Sequence, residues 1–233
     1  MNSVQIKNHS TVVNDTEASK VVAACQRQVS EQFARVYGID ATLRFAAKNE
    51  LLSQYDWQLI IADDADAANA LGYHQTTKNG TPIGFCFAKT TKDYGGIWSV
   101  TFSHELLELL VDPEINRCVL DERTMRLYSE EVCDACEDDS LAYDIDGVKV
   151  SDFVLPGFWN SSIKPHSPLS FTGAVKEPLS ILPGGYLQFL DLKHLSKGWQ
   201  QEQRRGPSGG AARGSRLARR NIPLDARRAS AQD

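Results

Sequence analysis

The chain lacks several features that would place it quickly. No stretch approaches the roughly 20 consecutive apolar residues needed to span a bilayer, so no membrane segment is expected. The N-terminus, MNSVQIKNHSTVVNDTEASK, has no basic start followed by an apolar run, and no secretory signal is expected either. Without one, the Asn-x-Ser/Thr matches at Asn8, Asn14 and Asn160 mean little as glycosylation sites. The cysteines number five, at positions 25, 86, 118, 133 and 136, an odd set not spaced like a disulfide framework. A reducing cytoplasm suits them, or a virion if the protein is phage-encoded. Internal repeats are absent, which excludes a repeat array.

What is present is a globular composition. The chain has 233 residues and an apolar fraction of 42%. Its charge is uneven. Residues 204 to 233 hold eight Arg and two Asp, a net of +6, so with −5 overall residues 1 to 203 carry −11. The tail RRGPSGGAARGSRLARRNIPLDARRASAQD has almost nothing apolar to bury and reads as disordered from about residue 201. It is either a solvated extension or a contact for nucleic acid or an acidic partner. The remainder is too acidic to read nucleic acid by itself.

Within residues 1 to 200 the elements can be ordered. Asn14, Asp15 and Thr16 offer N-caps, and Val22, Cys25, Val29, Phe33 and Val36 recur at three- and four-residue spacings until Gly38. A long helix is expected over about 16 to 37. ATLRF (41 to 45) and WQLIIA (57 to 62) read as strands, the second central in a sheet. TPIGFCFAK (81 to 89), with Pro82 and Gly84, reads as an edge strand. YDIDGVKV suggests a hairpin turning at Asp146-Gly147, and SPLSFTGAV (167 to 175) and GGYLQFLDL (184 to 192) suggest further strands.

Between these lies WSVTFSHELLELLVDP, residues 98 to 113. Ser99 is an N-cap candidate, the interior is Leu-rich, and Pro113 stops the helix near Asp112. His104 and Glu108, four apart, project from one face, and Glu105 lies one position round the cylinder. This is the geometry of the metalloprotease motif His-Glu-x-x-His with a carboxylate as second ligand. With the His and Glu contents of this chain, chance supplies such a pattern only about 0.01 times, yet composition leaves a second reading open. Glu105, Glu108 and Asp112 also make a solvated acidic stripe on an amphipathic helix.

The segments SHELLELLVDP, EVCDACEDDS, VSDFVLPGFW and PGGY resemble a group of largely uncharacterised bacterial and phage zincin-like proteins. The likeness covers about residues 40 to 190, and SHELLELLVDP followed by EVCD is its most specific part. It implies an α+β zincin-like domain over about residues 1 to 200: a mixed sheet, a long N-terminal helix and a metal-site helix. It further implies one zinc ion held by His104, Glu108 and a third ligand, with Glu131 first in line and Asp134 second. A solvated acidic turn remains the other reading of that segment.

Cys133 and Cys136, with Cys118 before them, offer a rival site, but a structural zinc wants four ligands and no second pair is near. The context for a redox Cys-x-x-Cys is missing, and Asp144-Ile-Asp146-Gly147 lacks the spacing of a calcium loop. One His and two carboxylates would leave zinc formally neutral, so it would polarise water less than a His₂Glu centre does. Two function classes follow. One is a zinc hydrolase, most simply a peptidase acting on a peptide or protein, in which Glu105 activates a metal-bound water. The other is a non-enzymatic scaffold, such as a virion component, whose basic tail binds DNA or an assembly partner. His74, Tyr128 and Tyr143 are candidates to stabilise an oxyanion, and none is singled out.

Overall fold

The structure, a computed structural model, describes residues 2–47, 49–53, 55–66, 70–162 and 167–206. The disordered tail expected from about residue 201 therefore falls, from residue 207 onward, outside the described residues. So does His166. The fold is mixed α+β with three sheets. No helix among the described residues is long and apolar enough to cross a membrane.

The first sheet runs β2-β1-β3-β5-β4. Its strands are β1 (Asn2–Asn8), β2 (Ala41–Phe45), β3 (Trp57–Ala62), β4 (Gly72–Thr76) and β5 (Pro82–Phe87). Neighbours are parallel except β4, which joins β5 antiparallel at the outside. β3 is central, as its apolar run requires. β5 is not the edge strand its Pro82 and Gly84 suggested: β4 flanks it, and Pro82 sits at the strand's first residue, where a missing N–H is tolerated. β1 had no clear apolar signature because Gln5 and Lys7 alternate with Val4 and Ile6. Both polar side chains are nevertheless buried, with the Lys7 ammonium donating to the Ala47 carbonyl at 2.9 Å.

The single helix expected over 16 to 37 is instead three successive segments: α1 (Asp15–Arg27), a π-helical stretch (Gln28–Phe33) and α2 (Ala34–Tyr37). Asn14 caps the start, its side chain accepting from the Glu17 N–H. The π turn widens the spiral where Gln28 and Gln32 must face inward. Gln28 donates to the Tyr143 hydroxyl at 3.0 Å and to the Ser151 carbonyl at 2.9 Å. Tyr143 in turn donates to Gln32 at 2.6 Å, and Ser103 to Gln28 at 3.0 Å. A buried polar network of this kind pins the N-terminal helices to the helix that bears the motif.

That helix, after the short α3 (Ala88–Asp93), is α4 (Trp98–Val111). Ser99 does not cap it; Ile97 takes the N-cap position, and the Ser99 hydroxyl donates to the Lys149 carbonyl at 2.7 Å. Every residue of α4 is buried. One side packs on β4 and β5, where the small residues Gly72 and Cys86 admit it closely. The other side meets the hairpin β8 (Tyr143–Ile145) and β9 (Val148–Val150), which turns at Asp146-Gly147 as expected.

A second, antiparallel sheet has the order β11-β10-β7-β6. It comprises β6 (Cys118–Asp121), β7 (Arg126–Ser129), β10 (Tyr186–Asp191) and β11 (Trp199–Gln203). Residues 167–175, expected as a strand, supply only one bridge, Ser170 to Val154. β11 carries the fold to Gln203, past the boundary expected near residue 200.

Candidate metal centre

The site begins with a burial that α4's composition conceals. His104 is 8% exposed, Glu105 4%, and Glu108 and Asp112 0%. A solvated acidic stripe is therefore excluded. The Asp112 carboxylate is used as a cap, accepting from the backbone N–H of Asn116 at 2.7 Å and Arg117 at 2.8 Å. Glu108 turns inward instead: its Oε1 accepts from the Cys133 N–H at 3.2 Å, and its Oε2 lies 3.2 Å from His104 Nε2.

The segment after β7 is not a solvated turn either. Residues 131 to 137 are all buried, and Asp134–Cys136 form one 3-10 turn against α4. The Pro-Gly-Gly-Tyr segment holds that turn in place. A Cβ on Gly185 would lie 2.6 Å from the backbone oxygens of Asp134 and Ala135, so only glycine permits this approach. The Leu182 N–H also donates to the Ala135 carbonyl at 2.9 Å.

Asp134 Oδ1 comes to rest 3.3 Å from His104 Nε2. It is buried and makes no hydrogen bond, being close enough to the ring for an ion pair but not aligned with it. Two ligands on a tetrahedral ion with bonds of ~2.0 Å stand about 3.3 Å apart, the separation found here. Ligand atoms gather in three groups whose members all lie within 4.8 Å of one another: His104, Glu108 and Cys133; His104, Asp134 and Glu137; His74, Glu105 and Glu108. Glu131 is buried as well but belongs to none of them, and Glu108 and Asp134 fall in different groups, each with His104.

Electrostatics sharpen the picture. Burial by itself would lower the His104 pKa, but Glu108 and Asp134 outweigh it and hold the imidazolium well above its ordinary value. Burial, reinforced by Glu108, pushes the Asp134 carboxyl up to about 7 despite His104 beside it. Acids packed in a buried place cost free energy unless protons or cations compensate. The cysteines behave differently. Burial first, then nearby carboxylates, raise the Cys133 and Cys136 thiols well above their usual range. Among the described residues no group contains two cysteines, and only Cys133 joins His104 and Glu108.

His104 and Glu105 open on a narrow pocket of about 20 Å³, walled by Leu71, Gly72, Thr101, Glu137, Asp139 and Tyr186. Gly72 is another required glycine: a Cβ there would lie 2.6 Å from Glu105 Cγ and 2.7 Å from the Phe85 carbonyl oxygen. Of the three oxyanion candidates, Tyr143 is bound into the Gln28–Gln32 network and Tyr128 packs on Phe189. Only His74 reaches the site, its Nδ1 3.9 Å from Glu105 Oε2. Tyr186 and Glu137 lie in the PGGY and EVCDACEDDS segments but are not among the expected site residues, since neither segment's letters say which side chains reach His104. Comparison of the chain with protein-family models, curated proteins and solved structures finds no match.

Proposed function

We propose that this protein is a zinc-dependent hydrolase of the zincin type, acting on peptide bonds, with the ion held by His104, Glu108 and Asp134. The observation that carries this reading is the placing of Glu108 and Asp134 oxygens 3.2 and 3.3 Å from His104 Nε2; the two acids belong to different groups of nearby ligand atoms, so a shared ion must draw them together on binding. A sheet that is parallel except for an outer antiparallel strand, with α4 against its last two strands, supports the zincin likeness. Zinc, when bound, would supply Lewis acidity and make a water more acidic. The chain supplies the rest. Glu105 lines the pocket beside His104, where it would accept a proton from a water held there, and Gly72 leaves room for its side chain. Asp134 serves here in place of Glu131, which keeps the formal charge of the centre at zero.

One observation favours a non-enzymatic role. A pocket of about 20 Å³ holds a water or two, not a peptide chain, and a neutral centre is a weak activator. On that reading the metal is a clasp in a scaffold such as a virion component, and the arginine-rich tail binds DNA or an assembly partner. Glu105→Gln separates the two. The hydrolase reading expects zinc to be retained while cleavage of a peptide library falls by ~10²- to 10⁴-fold. Zinc retained in both proteins, with wild type cleaving nothing in that library, would favour the clasp.

A further inference from the structure

His74 sits on β4, fully buried, with Nε2 2.8 Å from the Asp112 carbonyl oxygen. A carbonyl oxygen only accepts, so Nε2 carries a hydrogen and the neutral ring keeps its lone pair on Nδ1. Nδ1 is buried, makes no hydrogen bond, and faces Glu105 Oε2 at 3.9 Å. A ring protonated at both nitrogens would need an acceptor within ~3.2 Å of Nδ1, so the separation does not suit an N–H donor. His74 Nδ1 is thus a buried lone pair that meets no donor, an arrangement that costs free energy unless a cation meets it. Donating one ring N–H to a backbone carbonyl is also how metal-ligating histidines are oriented.

We propose that His74, Glu105 and Glu108 form a second divalent-cation site that shares Glu108 with the first. Their ligand atoms lie within 4.8 Å of one another. The edge from His74 Nδ1 to Glu105 Oε2, 3.9 Å, is under the ~4.2 Å that two ligands ~2.1 Å from one ion can span. One imidazole and two carboxylates suit zinc or manganese rather than calcium, which prefers an all-oxygen shell. The second ion takes Glu105 as a ligand, so filling this site withdraws the proton acceptor and makes excess metal inhibitory. In sharing Glu108 the inference rests in part on the first site, but its ligands are otherwise distinct.

Equilibrium dialysis of the full chain against zinc, with metal counted per chain, tests this. Wild type is expected to bind two equivalents, the second at least ~10-fold more weakly. His74→Phe and Glu105→Gln should each bind one; the nearly isosteric glutamine carries the test if the phenylalanine variant fails to fold. His104→Ala should lose the tight equivalent and keep the weaker one. One equivalent in wild type, His74→Phe and Glu105→Gln alike would overturn the second site and leave the first standing. Two equivalents persisting in His104→Ala would overturn the first site and not this one.

Discussion

At the end of α1, Arg27 meets Glu31 at 3.2 Å and Asp146 at 2.6 Å, and all three side chains are about half exposed. On α4, His104 meets Glu108 at 3.2 Å with the histidine nearly buried and the glutamate wholly so. Both pairs are four residues apart on a helix, and as letters they differ little. Water distinguishes them. At the surface it screens the charges and competes for them, so the Arg27 cluster contributes little. In the interior the same spacing leaves acids that need a proton or a metal, and the site gains a chemistry the surface pair lacks.

The largest effect that sharpens this contrast is expected at Asp134. Asp134→Asn should weaken zinc binding by at least ~100-fold, and Glu131→Gln should leave it nearly unchanged, as read by competition with a chromogenic chelator. If Glu131→Gln strips the metal and Asp134→Asn does not, the burial geometry has been misjudged. Gly72→Ala comes next. Its Cβ would displace Glu105, so hydrolysis should fall by about 10-fold with the tight zinc retained; equal turnover would dissociate Glu105 from the reaction.

Acidity probes the buried pair in a third way. Asp134 is raised from its usual range to about 7, so its contribution to stability is full below pH ~4 and lost as pH rises towards 7. His104 is raised too, and its contribution is full below pH ~6.5 and lost at higher pH. Both signs agree: the Tm of the metal-free protein should fall between pH ~4 and ~8. Zinc, which prefers deprotonated ligands, should flatten that slope in melts followed by circular dichroism. A slope unchanged by zinc or by Asp134→Asn would place its source elsewhere. The smallest effect belongs to the surface: Arg27→Ala should leave the urea midpoint within measurement error.

Legibility in the sequence followed the same division. Strands with continuous or alternating apolar residues, β2, β3 and β10, could be placed from their letters, as could the hairpin at Asp146-Gly147. β1 and β4 could not, because Gln5, Lys7, His74 and Gln75 give them a polar look; Gln5, Lys7 and His74 are nonetheless buried. The π-helical break after Arg27 left no mark in a pattern that kept its three- and four-residue spacing throughout. In the candidate site, His104, Glu105 and Glu108 were legible because one helix sets their separation. Asp134 was second choice to Glu131; both are buried, and a loop's letters do not say which acid comes closest to His104.

By itself the sequence determined the local geometry: a Leu-rich helix ended by Asp112-Pro113, with an imidazole and a carboxylate one turn apart and a second carboxylate beside them. Helical periodicity is a property of the backbone and needs no partner. The tertiary structure alone decided what surrounds that face. It buried α4 on every side, set Asp134 beside His104, and brought His74 from β4 to Glu105. Those contacts join residues some thirty positions apart in the chain. They depend on close approach through Gly72 and Gly185, which no periodicity records.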